Sequence, residues 1–461
     1  MQKIFKTISE ALNGEEKNFT SGSINRAIVL LSIPMILEMI MESLFAVADV
    51  FFVSRVSIDA VATVGLTESV VTLVYAIAVG MSMAATAMVA RRVGEKKPEQ
   101  AAVAAAQSML IALGISIALG IPGFLFAEDI LRLMGGSEEL IANGAGYTRI
   151  LLGSNVVIMF LFLLNGIFRG AGDAAIAMRS LWLANGINII LDPIFIFGLG
   201  PFPEMGVQGA AMATFIGRGA GVIYQLYILF GRSGIVQLQW EHFRVHFRII
   251  RKLAKVASTG AGQFLIGSAS WIFLMRIIAH FGSEAVAGYT IAIRLIIFTI
   301  LPSWGLANAA ATLVGQNLGA GKPERAEKSV WKTAFYNMVF LLSVSVIYFL
   351  FAIPILRLFN SEPAVLEAGV LSLRIICGGY AFFAYGMVVS QAFNGAGDTR
   401  TPTLINFFCF WMLEIPIAYF LAITMEWGLA GVCWSIAGSE AVLAIISILV
   451  FRMGRWKTVE I

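Results

Sequence analysis

Apolar residues run through this chain in long blocks, separated by short polar or glycine- and proline-containing breaks. The blocks fall at 28–53, 62–90, 101–126, 141–168, 176–199, 207–230, 253–280, 285–314, 330–355, 364–393, 402–423 and 428–451. A helix needs about 20 mostly apolar residues to cross the hydrocarbon core of a bilayer, and every block reaches that length. Each is continuous in apolar character rather than alternating residue by residue, which excludes the strands of a membrane β-barrel. The pattern predicts an all-α, polytopic membrane protein with twelve transmembrane helices.

Composition agrees. Of 461 residues 59% are hydrophobic and only 13% charged, with a mean hydropathy of +0.85. A soluble domain carries about 25% charged residues, so an isolated globular enzyme, a disordered regulator and a nucleic-acid binder are excluded. The formal charge of +4 does not reverse this, because the basic residues sort by loop. With the N-terminus placed in the cytoplasm, 24 of the 32 Lys and Arg residues fall on the cytoplasmic side, and three (Arg55, Arg132, Arg357) on the other. Positive charge marks the cytoplasmic loops, so both termini are expected there, in the inner (plasma) membrane. Three cysteines inside apolar runs argue against a disulfide framework, and the three histidines lack metal-ligand spacing. The first 24 residues lack the layout of a cleaved signal peptide. Their segment IFKTISEAL suits either a short surface helix or a disordered tail.

The chain also repeats itself. Gly94-Glu-Lys-Lys-Pro-Glu-Gln-Ala101 returns as Gly319-Ala-Gly-Lys-Pro-Glu-Arg-Ala326, and Phe168-Arg-Gly-Ala-Gly-Asp173 as Phe393-Asn-Gly-Ala-Gly-Asp398. Both pairs share one offset of 225 residues, as do Arg149 and Arg374. Six spans per repeat is an even number, so both halves enter the membrane with the same orientation. That is the parallel-repeat plan of alternating-access transporters, with substrate handled between the halves. The expected organisation is a cytoplasmic segment 1–27, a first lobe 28–230, a cytoplasmic linker 231–252, a second lobe 253–451 and a tail 452–461. His242 and His246 read as solvated linker residues.

Ionisable residues within spans are costly and so need a reason. Glu38, Glu42 and Asp49 lie within roughly 40° of one another around the first helix, at about 100° per residue. Asn188 and Asp192 share a face of the fifth span, with Pro193 alongside. Pro193 and Pro34 each remove a backbone donor and are expected to let their helices bend. Carboxyl groups stripped of water hold protons tightly, the chemistry of a proton carrier. The same oxygens, with the Asn188 carbonyl, also suit sodium. Adding 225 to the first-span acids gives Gln263, Gly267 and Leu274, so ion coupling is expected in the first half. Glu414 is the nearest counterpart of Asp192.

Together, Ala48-Asp49, Asn165-Gly-Ile-Phe-Arg-Gly-Ala-Gly-Asp173, Asn188-Ile-Ile-Leu-Asp-Pro193, Gly209-Ala-Ala-Met-Ala-Thr214 and Phe393-Asn-Gly-Ala-Gly-Asp-Thr-Arg-Thr-Pro402 resemble the multidrug and toxic compound extrusion family. The resemblance runs from Pro34 to about Arg455. It implies a V-shaped pair of six-helix lobes, exporting amphipathic, often cationic, compounds in exchange for H⁺ or Na⁺. It further implies a first-lobe cation cluster of Asp49, Asn165, Asn188, Asp192 and Thr214, with Tyr147 close by; a sodium ion would sit on Asp49, Asp192 and Asn188. The carboxylates that some sodium-coupled members carry in spans 7 and 10 are missing here.

Glu42 is a further candidate for coupling. Glu38, Glu68, Met41, Phe160 and Phe162 are candidates for the substrate cavity, and Glu68 has Arg294 as an alternative partner. Arg218 and Glu440, offset by 222, read as structural charges at lobe ends. The Gly-Ala-Gly-Asp segments read as cytoplasmic turns, since no lysine-serine pair follows to make a phosphate loop. The expected protein is a monomeric secondary transporter that needs no cofactor beyond its coupling ion. A flippase for a lipid-linked substrate and a membrane-embedded enzyme are the alternatives; the enzyme lacks a nucleophile–base pair within the spans.

Overall fold

The computed structural model describes residues 2–14, 19–231 and 234–461; Lys17 and Arg232, counted above among the cytoplasmic basic residues, lie outside them. Helix starts are written in the sequence. Ser23, Ser57 and Ser137 cap helices by accepting from the main-chain N–H three residues on. Pro98 and Pro323, mates at the repeat offset, occupy the first position of theirs. After α1 (Gln2–Asn13), the first half comprises α2 (Ile24–Val53), α3 (Ile58–Gly94), α4 (Pro98–Leu125), short α5 (Ala127–Leu133), α6 (Glu138–Gly153), α7 (Asn155–Ala171), α8 (Ala174–Phe197) and α9 (Val207–Phe230). The second comprises α10 (Phe247–Ala279), α11 (Ser283–Gly319), α12 (Pro323–Arg357), α13 (Pro363–Gly378), α14 (Tyr380–Ala396), α15 (Arg400–Asn406), α16 (Ile415–Tyr419) and α17 (Leu429–Arg452). Among the described residues eleven helices are long and apolar enough to span a membrane, and a twelfth span is α13 with α14, bent by 55° at Gly378-Gly379. This is an all-α, multi-pass membrane protein of two pseudo-symmetric six-helix lobes.

The repeat is visible in atomic detail. Arg149 Nε donates to the Phe124 carbonyl at 3.3 Å, and Arg374 Nε to the Phe349 carbonyl at 3.1 Å. Gly172 and Gly397 end α7 and α14 with φ of 92° and 88°, a left-handed turn open to glycine. The eleventh span departs from the pattern. It runs from α15 through wide π-helical turns over Phe407–Glu414 into α16, and on through further such turns over Phe420–Thr424. Pro416, which lacks an N–H, stands just past the first of these stretches. Neither Pro34 nor Pro193 breaks its helix; α2 and α8 are continuous through them.

Contacts between the halves gather at the end that carries both termini. Gly94 on α3 and Gly319 on α11, repeat mates, meet there. A Cβ on Gly94 would lie 2.0 Å from the Gln316 carbonyl, and one on Gly319 2.1 Å from that of Arg91. Thr312 Oγ1 donates to the Arg169 carbonyl at 3.0 Å and Gln316 Nε2 to the Gly170 carbonyl at 3.1 Å. The C-terminal strap crosses from the second half to the first, where Arg91 Nη2 donates to the Val459 carbonyl at 2.8 Å and Arg92 Nη2 to that of Ile461 at 3.1 Å.

Of two peripheral segments, the first takes the helical one of its two alternatives and the second departs from expectation. The N-terminal segment is helical and packs back on the bundle: Arg26 pairs with Glu10 at 3.1 Å, and Arg179 Nη2 donates to the Leu12 carbonyl at 2.6 Å. The linker histidine His242 is buried rather than solvated. Its Nε2 meets Glu99 at 2.9 Å, and Gln107 on α4 donates to the His242 and Arg244 carbonyls, both at 2.9 Å. A basic loop of this length carries many main-chain polar groups, and Gln107 of α4 satisfies three of them, the His242 and Arg244 carbonyls and the His246 N–H.

Candidate functional site: two arginine-held glutamates and a buried aspartate cluster

Between the halves lies a cleft of about 1110 Å³, its open mouth included. The first half contributes Glu38, Glu42, Tyr75, Phe162 and Arg169, and the second Phe264, Trp304, Asn308 and Asn394. Glu38 and Phe162 therefore line it as expected. Met41 and Phe160 do not; both are buried in packing. For Phe160 the helix period explains this, because it stands two residues from Phe162, about 200° around the axis from a side chain that reaches the cleft.

The three acids of α2 have separate partners. Glu38 Oε1 accepts from Asn165 Nδ2 at 3.0 Å and from Arg169 Nη1 at 3.4 Å. Arg169 also donates to Ser82 Oγ at 3.0 Å, and Gln225 donates to Asn165 Oδ1 at 2.6 Å. Arg169, grouped above with the cytoplasmic charges, is thus a cleft residue. Glu42 is held by Asn185 Nδ2 at 3.0 Å and Arg218 Nη2 at 3.4 Å. Arg218 is no lobe-end charge. It is 1% exposed, with its guanidinium 5.2 Å from the ring centre of Phe45 and 5.6 Å from that of Tyr75. A buried cation of this kind needs both a counter-ion and aromatic faces.

That arrangement carries a prediction. Arg218→Met removes one partner of a buried pair, which costs roughly 3–5 kcal/mol. Thermal unfolding in detergent should show a large drop in Tm, and adding Glu42→Gln should restore part of it. Equal melting of wild type and Arg218→Met would show the pair to be idle.

Asp49, about two turns beyond Glu42, belongs to a different group. Asp192 is fully buried; Asn188 Nδ2 donates to its Oδ1 at 3.5 Å and to Thr214 Oγ1 at 3.1 Å. The i, i+4 spacing of Asn188 and Asp192 places both on one face of α8, where α9 brings Thr214 alongside. Asp49 lies within electrostatic reach of Asp192, the exposed Glu68 and Arg218. Tyr147 lies within reach of both aspartates. Glu68 thus lies in the field of Asp49, and Arg294 is exposed. Asp49, Asn188, Asp192, Thr214 and Tyr147 come together, whereas Asn165 bonds into the Glu38 group. Asp192 Oδ2 and Asn188 Oδ1 are buried without a hydrogen-bond partner. Unpaired acceptors at depth are costly, and a proton or a sodium ion would satisfy them.

Sequence reasoning missed Arg169, Arg218, Asn185 and Gln225. The available signal was that a lone arginine inside an apolar span is as expensive as a lone acid.

The MatE family model matches residues 34–194 and 261–420, once in each half. The chain belongs to the MatE family. Among MatE relatives, a probable multidrug resistance protein NorM from Thermotoga maritima is 27% identical over 94% of this chain and 93% of its own. An FAD transporter from Shewanella oneidensis is 28% identical over 86% of this chain and 88% of its own. A solved structure described as the outward-facing conformation of a multidrug resistance MATE family transporter of the MOP superfamily superposes with a TM-score of 0.89, at 29% identity. It covers 96% of this chain and 98% of the other. The twofold match of the family model follows the repeat legible in the sequence.

Proposed function

We propose that this chain is a monomeric secondary transporter of the inner membrane, with both termini cytoplasmic, that exports amphipathic small molecules in exchange for H⁺ or Na⁺. Residues 28–230 and 253–451 act as its two lobes. One observation carries the reading: Glu38 and Glu42 each have an arginine counter-ion, Arg169 and Arg218, whereas Asp192 is buried with no ion pair and lies in the field of another acid, Asp49. The aspartate cluster is therefore the group with a cation to gain.

The contacts at the terminus-bearing end fit a state closed toward the cytoplasm, with the cleft facing outward. Cation uptake neutralises Asp49 and Asp192 and removes the reason for α2 and α8 to hold their present register. The cleft reshapes, substrate leaves, and rocking of the lobes delivers the ion inward. One charge crossing 100 mV is worth about 2.3 kcal/mol, which sustains a several-tens-fold substrate gradient. The flippase alternative calls for a basic cleft, but the cleft arginine Arg169 is paired with Glu38.

The test is dye efflux from proteoliposomes with a pH gradient and a sodium gradient imposed separately. Efflux should follow one of them. Efflux indifferent to both would refute the exchange.

A further inference from the structure

The first turns of α10 carry cations for which the exchange reading has no use. Arg248, Arg251, Lys252 and Lys255 are all exposed, and at about 100° per residue they fall within roughly 100° of arc on one side of the helix. Leu253, Val256, Ala257 and Gly260 form the buried side. That side is pressed on α3, where a Cβ on Gly80 would lie 2.3 Å from the Ala257 carbonyl. The cationic stripe therefore faces away from α3. Among the described residues, no acid lies within ion-pair distance of any of the four.

The first half treats the equivalent place differently. At the repeat offset of 225 the four positions become Ser23, Arg26, Ala27 and Leu30. One cation remains there, and Glu10 of α1 pairs with it at 3.1 Å. The first half thus folds an acid of its own over this position, and the second half leaves its cations without one. Like charges three and four residues apart on a helix repel, and both spacings occur in this stripe. An anion laid over it would relieve the repulsion.

A second observation gives the stripe its height. Trp240 is 82% exposed and Phe247 80%. The Trp240 ring centre lies 5.5 Å from that of Phe230, the last residue of α9, and 6.1 Å from that of Phe243. Aromatic rings gathered at the end of a span sit at headgroup level, with an apolar body toward lipid and a polar edge toward water. Phe247 opens α10 one residue before Arg248, so the stripe begins at that level.

We propose that the stripe, with Trp240 and Phe247 beside it, is a docking surface for anionic phospholipid in the leaflet on the terminus-bearing side. Lipid phosphates lie over the four cations, and acyl chains run past the exposed rings. An arginine fork takes a phosphate by two parallel hydrogen bonds, and a lysine takes it as a point charge. Basic clusters at the end of a span attract acidic lipid in this way. A zwitterionic headgroup brings an ammonium with its phosphate and so gains less. The claim goes beyond the exchange reading and does not depend on which ion, if any, the lobes carry.

The experiment is tryptophan quenching in phosphatidylcholine vesicles that hold the full chain and a minor fraction of brominated lipid. The Trp240 signal is taken as wild type minus Trp240→Phe. Brominated phosphatidylglycerol should quench it at a mole fraction at least about tenfold below that needed with brominated phosphatidylcholine. In Arg248→Gln/Arg251→Gln/Lys252→Gln/Lys255→Gln the two lipids should become equal. Raising the salt should weaken the preference of the wild type, and this arm carries the test if the fourfold variant fails to fold. Inorganic phosphate at matched ionic strength should leave the lipid in place. Equal quenching by the two lipids in wild type would show a merely solvated charged face and overturn the proposal. A preference that survives the fourfold variant or high salt, or displacement by inorganic phosphate, would overturn it as well.

Discussion

Asp192→Asn is expected to abolish gradient-driven efflux while leaving membrane insertion and fold intact. The substitution keeps the size of the side chain and one carbonyl oxygen. It removes the charge that a proton or sodium ion would neutralise. Asp192 is fully buried, has no arginine of its own, and leaves Oδ2 unpaired. An amide there makes the site permanently neutral, so the lobes lose the difference between loaded and empty states. A ligand shifts a conformational equilibrium only through its differential affinity for the two states. Asp49→Asn should behave alike, since Asp49 shares the field of Asp192. Glu38→Gln should be milder, because Glu38 already has Arg169 and Asn165 as partners. Dye efflux and surface expression measured together check this. Wild-type drug resistance in a sensitive host carrying Asp192→Asn would remove the aspartates from the mechanism.

The second large effect is expected from Gly319→Val. A Cβ at this position would lie 2.1 Å from the Arg91 carbonyl, and its repeat mate Gly94 is equally close to the Gln316 carbonyl. Both obstacles are main-chain atoms, so a rotamer change cannot relieve them, and α3 and α11 must separate. Separation also strains the neighbouring contacts of Thr312 and Gln316 across the lobes and the grip of Arg91 on the C-terminal strap. A cysteine placed at the cleft residue Val79 should then react with an impermeant reagent from the side of the termini. The native cysteines are buried and should contribute little. Transport should fall by at least about tenfold, the equivalent of 1.4 kcal/mol against the closed state. Gly94→Val should do the same. Normal transport with an unreactive Val79→Cys would show that this glycine contact is not the seal.

Much of the molecule was legible before any coordinates. Long apolar blocks specify spans because lipid leaves the backbone no partner but itself. The recurrence of the Gly-Ala-Gly-Asp turn and the Lys-Pro-Glu helix start specifies two similar halves. Asp192 and Asn188 share a face because four residues make about one helical turn. Those inferences are local, and local geometry answers them.

Partnership is a different kind of fact. Spacing placed Glu38, Glu42 and Asp49 on one stripe of α2, but spacing along one helix says nothing of what the neighbouring helices present. Only the packing of α7, α8 and α9 decided that Arg169 holds Glu38, that Arg218 holds Glu42, and that Asp49 has neither. The same packing turned Met41 and Phe160 into core and sent Asn165 to Glu38. Periodicity along single helices thus settled the number of spans, the repeat and the candidate acids, because hydrogen bonding and hydropathy act within a few residues. Which acids stand paired and which stand open was decided in the tertiary structure, because a charge in a poorly screening interior answers to whatever lies nearest in space.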